Sequence, residues 1–214
     1  MSSRILILIA ALLVIVPFYI FFERKKPSAR TIVLITVLAG LAVAGRAAFF
    51  MTPFFKPVLA FVIIAGVSLG PNAGFIVGSM SALVSNFIFG QGPWTIFQMV
   101  AWGVVGLAAG LLSGSLLAKG RTVPMMIYGF LSAFLIHGLI TDIWTIFFAS
   151  EQPTLYSALA IYAASIVPDA VLGAATALFL LVLGHPMVKK IERVKLKYGL
   201  SQDGEGAVES SDKL

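Results

Sequence analysis

Apolar residues run almost unbroken through residues 4–22, and the run ends in Glu23-Arg24-Lys25-Lys26-Pro27. A stretch of that length matches the ~20 residues a helix needs to cross a hydrocarbon core. A cleaved signal peptide carries its positive charges before the apolar stretch and closes on small residues. Here the basic cluster follows the stretch, and Phe18-Tyr19-Ile20-Phe21-Phe22 closes it. The pattern predicts a retained helix with its N-terminus outside.

Six further apolar segments follow, over residues 30–50, 57–69, 72–89, 94–118, 123–149 and 155–184. Their boundaries are set by breakers: Pro53 and Pro57, Gly70-Pro71, Gly90-Gln91-Gly92-Pro93, Lys119-Gly120-Arg121, and Ser150-Glu151-Gln152-Pro153. Residues 57–69 are too few to cross a bilayer without tilt or thinning. From Gly199 the chain is polar and rich in Gly, Ser, Glu and Asp, a composition that predicts a disordered tail over residues 199–214. The expected organisation is an extra N-terminal helix and basic linker (residues 1–28), a six-helix membrane domain (29–198) and that tail. The expected fold is an all-α integral membrane bundle.

Composition agrees with this parsing. Of 214 residues, 59% are hydrophobic and 11% charged, too little polar surface to cover a soluble domain. The net charge of +6 sits in blocks at helix ends rather than on a stripe interleaved with aromatics, so it predicts no nucleic-acid partner. Seven spans with the N-terminus outside place Arg24, Lys25, Lys26, Arg30, Lys119, Arg121 and the Lys189–Lys197 cluster on the cytoplasmic side. Only Arg4, Arg46 and Lys56 fall toward the other side, a strong positive-inside bias. The chain has no cysteine, which excludes disulfides and thiolate metal sites.

Polar groups are costly in a bilayer, so their positions carry information. Arg46, Phe49 and Phe50 stand near the first outer loop, and Asn86 and Gln91 flank the second. Trp94, Gln98 and Trp102 are four residues apart and share one helical face. His137, Thr141 and Trp144 share another with Asp142 close by, and Tyr162, Ser165 and Asp169 form a third stripe. Each has a bland alternative: interfacial Trp94 or Tyr156 as membrane anchors, His137 as a packing residue, Asp169 as a kink or Arg46 partner. Their convergence on the outer end predicts an aromatic-lined small-molecule site. There is no His-Glu-x-x-His, phosphate loop or nucleophile elbow, so neither catalysis, ATP hydrolysis nor a metal site is expected. Small-residue ridges recur at Gly66/Gly70/Gly74/Gly78, at Gly106/Gly110/Gly114 and at Thr36/Gly40/Ala44/Ala48, where they fit internal packing or a partner helix.

Gly45-Arg46-Ala47-Ala48-Phe49-Phe50, Lys56-Pro57-Val58, Gly70-Pro71-Asn72-Ala73-Gly74-Phe75, Ser85-Asn86-Phe87 and Phe89-Gly90-Gln91-Gly92-Pro93-Trp94 resemble the substrate-specific (S) components of energy-coupling factor (ECF) transporters. The resemblance extends through Gln98-Met99 and Trp102-Gly103, and the layout to about residue 195. The helix before residue 28 departs from the usual six-span core. The resemblance implies a bacterial plasma-membrane protein that binds a vitamin at its outer face. It also implies a transmembrane scaffold subunit and two cytoplasmic ABC-type ATPases as partners, and no covalently attached cofactor. It implies scaffold docking through the positions matching Ala39, Gly40, Ala44 and Ala48. The Gly-Gln-Gly-Pro-Trp stretch is most similar to members assigned to cobalamin, which is the expected ligand. Riboflavin and pantothenate are the alternatives, with Lys56 or Arg46 holding the carboxylate of the latter. A self-sufficient ion-coupled carrier is a more distant reading, supported by the glycine break at residues 66–78.

Overall fold

The computed structural model describes residues 2–117, 121–149 and 153–199, and these are helical with short connections. The expectations for Lys119, for residues 150–152 and for the tail beyond Gly199 lie outside the described residues. The helices are α1 (Ser2–Arg24), α2 (Ala29–Ala48), α3 (Val58–Leu69), α4 (Pro71–Phe89) and α5 (Trp94–Leu111). Two composite helices follow. In the first, α6 (Thr122–Leu131) and α7 (Gly138–Trp144) are joined by a π-helical turn at Ser132–His137, and a second such turn closes α7 at Thr145–Ala149. In the other, α8 (Leu155–Phe179) and α9 (His185–Lys197) are joined through Leu180–Gly184. Six of these segments are long and apolar enough to cross a membrane, and α3 is a shorter apolar helix. The chain is a multi-pass, all-helical membrane protein.

The centre is α3. Val58 through Gly66 are all buried, so protein encloses most of this helix. At 1.5 Å per residue its 12 residues span roughly 18 Å, well short of the ~30 Å hydrocarbon core. Protein therefore has to satisfy its end. Lys195 of α9 donates to the Ser68 carbonyl at 2.9 Å, placing a cation at the helix C-terminus. Gly70, at φ 90°, then turns the chain directly into α4, a conformation that residues with a Cβ rarely adopt.

Two of the three glycine ridges are internal. A Cβ on Gly66 or Gly74 would run into the Gly106 carbonyl, one on Gly78 would meet the backbone of Trp102 and Gly103, and one on Gly110 would meet Pro71. The α3, α4 and α5 backbones touch here because no side chain intervenes. Across this core the Tyr128 hydroxyl of α6 donates to the Val105 carbonyl of α5 at 2.6 Å. By contrast, Gly40, Ala44 and Ala48 of α2 are exposed, and a Cβ on Gly40 would meet nothing within 4 Å. Gly114 is similarly open.

Two predicted boundaries are corrected. The span drawn to residue 118 ends as a helix at Leu111, and Leu112–Leu117 form turns in which Ser113 Oγ bonds back to Gly110. Glycine and serine there cost helix propensity, and the serine hydroxyl competes for backbone. The last span does not stop at 184 but continues to Lys197, with Val188 and Ile191 buried and Lys189, Lys190 and Arg193 exposed. The wide turn at Leu180–Gly184 absorbs the missing N–H of Pro186.

Helix α1 stands against α4. Phe18 stacks on Phe75 with centroids 3.9 Å apart, and the Tyr19 hydroxyl bonds to Ser79 Oγ at 2.9 Å. Most of its other side chains are exposed, as suits a lipid-facing helix.

Candidate functional site

The two ends of the bundle differ in chemistry. At one end Arg30, at the start of α2, donates to the Tyr198 carbonyl, and Lys195 reaches the end of α3. These residues belong to the basic clusters. The C-terminal ends of α2 and α4 and the start of α5 meet at the other end, and a cavity of about 320 Å³ lies among them and α7.

One wall is a polar relay. Arg46 Nη1 donates to Ser85 Oγ at 2.5 Å and to Asn86 Oδ1 at 2.7 Å. Asn86, only 1% exposed, donates from Nδ2 to Gln98 Oε1 at 2.8 Å and to Thr95 Oγ1 at 2.9 Å. Thr95 in turn donates to Gln91 Oε1, and Gln91 Nε2 donates to the Leu83 carbonyl. Every donor and acceptor of the Asn86 side chain is thereby satisfied inside a bilayer, where a bare one is expensive. The Arg46 guanidinium lies over the Phe89 ring at 4.4 Å and the Trp102 ring at 5.3 Å, an arrangement favourable for a desolvated cation. Among the described residues no carboxylate forms an ion pair with it. Among the described residues, Arg46 therefore brings a positive charge with no ion-pair partner to the cavity.

The facing wall comes from α5 and α7. Trp144 meets Trp94 at 5.9 Å and Phe97 at 6.1 Å between centroids, and stacks on Phe148 at 4.4 Å. His137, Thr141, Asp142 and Thr145 also line the space. The Thr141 hydroxyl is spent on the His137 carbonyl at 2.8 Å. Asp142 is 7% exposed, and its Oδ1 accepts from Ser165 of α8 at 2.8 Å.

The sequence-derived candidates fall into two groups. Arg46, Asn86, Trp94, Gln98, His137, Asp142 and Trp144 line the cavity together. Gln91 stands outside it and orients Thr95. Trp102 is 3% exposed and lies beneath Arg46, with His137 at 6.5 Å between ring centroids. Phe49 turns away toward Phe55 and Phe179, at 5.8 and 5.2 Å. Phe50 is 63% exposed and touches Phe89 at the rim. Tyr162 is half-buried on α8 without lining the cavity, and the Asp169 carboxyl rests against Gly138 rather than on Arg46. Phe97, Thr95 and Thr145 were not among the candidates. Phe97 is three residues from Trp94, so helical spacing does carry a signal for it.

Lys56 is a clasp for the loop before α3. Its ammonium donates to the carbonyls of Phe49, Phe50 and Thr52, which uses all three of its protons. Partial burial, with the charge of Arg46 second, lowers its pKa from the ordinary lysine value. Among the described residues no group of three or more His, Asp or Glu side chains is placed to hold a metal.

A second concavity, about 500 Å³ and almost wholly apolar, runs along the lipid-facing side between α1, α2 and α4. Ala39, Gly40 and Ala44 form its floor, Tyr19 and Phe22 one wall, and Met80, Val84 and Ile88 the other. Ala48 is exposed beyond its end.

A helical membrane bundle with an aromatic and polar cavity at one end is the architecture of a membrane protein that captures a small molecule. Residues 26–193 match the family model described as "ECF-type riboflavin transporter, S component", and the chain belongs to that family of transporter components. UPF0397 proteins of Vibrio atlanticus (strain LGP32) and Aliivibrio fischeri (strain MJ11) are each 34% identical over 89 residues, which is 39% of this chain and 48% of theirs. The chain thus spans about half the length of the curated relatives it matches. No solved structure matches.

Proposed function

We propose that the chain is the substrate-capturing subunit of an ECF-type importer, taking a planar vitamin of the riboflavin class from the outer face. A membrane scaffold subunit and two cytoplasmic ATPases then drive release inside. The observation that carries this reading is the cavity itself: aromatic rings on one wall, and opposite them a guanidinium with no carboxylate partner among the described residues. Aromatic faces stack on a flat ring system, and a guanidinium fork donates to carbonyl or anionic oxygens at its edge. At about 320 Å³ the cavity lies within the range of small-molecule sites and has room for a flavin ring. The description of the matched family supports riboflavin over cobalamin as the proposed ligand. Lys56 is fully engaged with backbone carbonyls, which weakens the case for pantothenate.

Titration of the purified protein with riboflavin, pantothenate and cobalamin tests the ligand. Riboflavin is expected to bind tightest, and preference for cobalamin would sink the assignment. Reconstituted alone, the protein is expected to bind without accumulating ligand under a proton or sodium gradient. Gradient-driven uptake by the isolated chain would make it a self-sufficient carrier.

The cavity faces outward in this reading because the basic clusters lie at the opposite end of the bundle. The chain lacks cysteine, so single replacements can report on sidedness. Met51→Cys, in the loop after α2, is expected to react with an impermeant maleimide on intact cells, and Leu196→Cys only after permeabilisation. Both positions are exposed. The reverse pattern would invert the orientation.

A further inference from the structure

Two concavities lie at the basic end of the bundle, one between α2 and α9 and the other between α1 and the start of α4. In the first, about 250 Å³, the arginine is already in use: Arg30 donates to the Tyr198 carbonyl at 2.9 Å and lies over the Tyr198 ring at 5.1 Å. The second is larger, about 580 Å³, and its arginine is free. Among the described residues nothing hydrogen-bonds or pairs with the exposed Arg24 side chain. The half-buried Asn72 amide, which also lines this groove, is equally without a partner among them. The remaining walls are hydrocarbon. Pro17, Phe21 and Arg24 stand at i, i+4 and i+7 on one face of α1, flanked by Phe18 and Ile20. Seven residues at 1.5 Å each carry the groove ~10 Å from the charge into the apolar part of the helix. Phe18 on Phe75 and Tyr19 on Ser79 hold α1 against α4, so both walls are built by the protein itself. Asn72 follows the Gly70 turn at the end of α3, where Lys195 also reaches, which puts the mouth of the groove at the level of the basic clusters.

We propose that this groove binds one anionic phospholipid of the leaflet at the basic end. The phosphodiester accepts hydrogen bonds from Arg24 and Asn72, and an acyl chain lies along Phe21, Ile20 and Pro17. A guanidinium fork suits a phosphate, whereas a zwitterionic headgroup brings an ammonium of its own that competes for the same anion. Any cation at this boundary is drawn to an anionic surface. What makes a site of this one is the juxtaposition of an unpaired fork with an apolar channel of matching direction. Helix α1 lies outside the matched family segment, residues 26–193, and the lipid gives it a second contact with the bundle beside Phe18 and Tyr19.

The test titrates the full chain in detergent with phosphatidylglycerol and with phosphatidylcholine of identical acyl chains, and native mass spectrometry counts the lipids retained. The first phosphatidylglycerol is expected to bind roughly fivefold more tightly than the first phosphatidylcholine, and Arg24→Gln to remove that preference. Ile20→Trp places a ring in the path of the chain at an exposed position of the wall, and should lower phosphatidylglycerol retention as well. Lys190→Gln removes an exposed charge at the same end but away from the groove. At ~0.15 M salt, where the screening length is about 8 Å, it should leave the preference within about twofold. Glycerol 3-phosphate, which carries the phosphate without the chains, should not displace the lipid. Equal retention of the two lipids by the unaltered protein would overturn the proposal, and that comparison needs no variant. Equal losses in Arg24→Gln and Lys190→Gln would overturn it in favour of general surface charge. Displacement by glycerol 3-phosphate would make the groove a site for free phosphate instead. Unchanged retention in a well-folded Arg24→Gln or Ile20→Trp protein would place the lipid elsewhere and overturn the site.

Discussion

Arg46→Ala is expected to weaken ligand affinity by about a hundredfold, since hydrogen bonds to a charged donor contribute ~1.5–3 kcal/mol and the guanidinium offers more than one. Among the described residues only Nη1 is engaged, by Ser85 and Asn86, which leaves the other donors of the fork for a ligand oxygen. The same side chain is stacked between Phe89 and Trp102, which fixes its plane before any ligand arrives. Pre-organisation of that kind removes an ordering cost from binding. Arg46→Lys retains the charge but loses the flat fork and its stacking. It is expected to recover part of the loss, to about tenfold below the unaltered protein. Isothermal titration of both variants measures this, with the elution profile in detergent as the check on folding. Affinity within about twofold for a well-folded Arg46→Ala protein would reduce Arg46 to a brace between α2 and α4.

The part of this site that was legible in the sequence is the part held by regular helix. Trp94 and Gln98 are four residues apart on α5, and Asn86 lies one turn before the Gly90 break, so spacing alone brings them to one end. Phe49 and Phe50 were misplaced because they follow the end of α2, where helical geometry no longer fixes direction. There, contacts with Phe55 and Phe179 decide for Phe49 and contact with Phe89 for Phe50. His137, Asp142 and Trp144 were recognisable as a group as well, because α7 keeps its regular spacing between them and all three line the cavity. The π turns on either side of α7 were not legible, since no residue pattern announces such a turn. The fold shows the same division. Glycine ridges with identical spacing proved to be internal on α3, α4 and α5, where they face backbone, and open on α2. Spacing reports close approach, and which surface makes it depends on the tertiary arrangement.

The open ridge carries the second large effect. Ala44→Leu is expected to abolish uptake while leaving the ligand affinity of the isolated subunit within about twofold, as for a surface change remote from any buried contact. Ala44 is exposed on the floor of the apolar groove between α1 and α4. Arg46 lies two residues further along α2, roughly 200° around the helix, so the substituted face and the ligand-binding face are nearly opposite. A leucine at Ala44 therefore has room in the isolated protein and adds bulk only where a scaffold helix is proposed to lie flush against α2. Small residues allow that approach because lipid chains compete well for any surface that packs less closely. The groove also contains Tyr19 and Phe22, so a partner helix docking on α2 in this reading would lie between α1 and α4. Co-purification of the scaffold with the Ala44→Leu subunit decides the matter alongside ligand titration. Lost co-purification with retained binding supports docking through the stripe. If Ala44→Leu instead destroys binding or stable expression, the α2 ridge is internal packing like those of α3, α4 and α5, and the scaffold docks elsewhere.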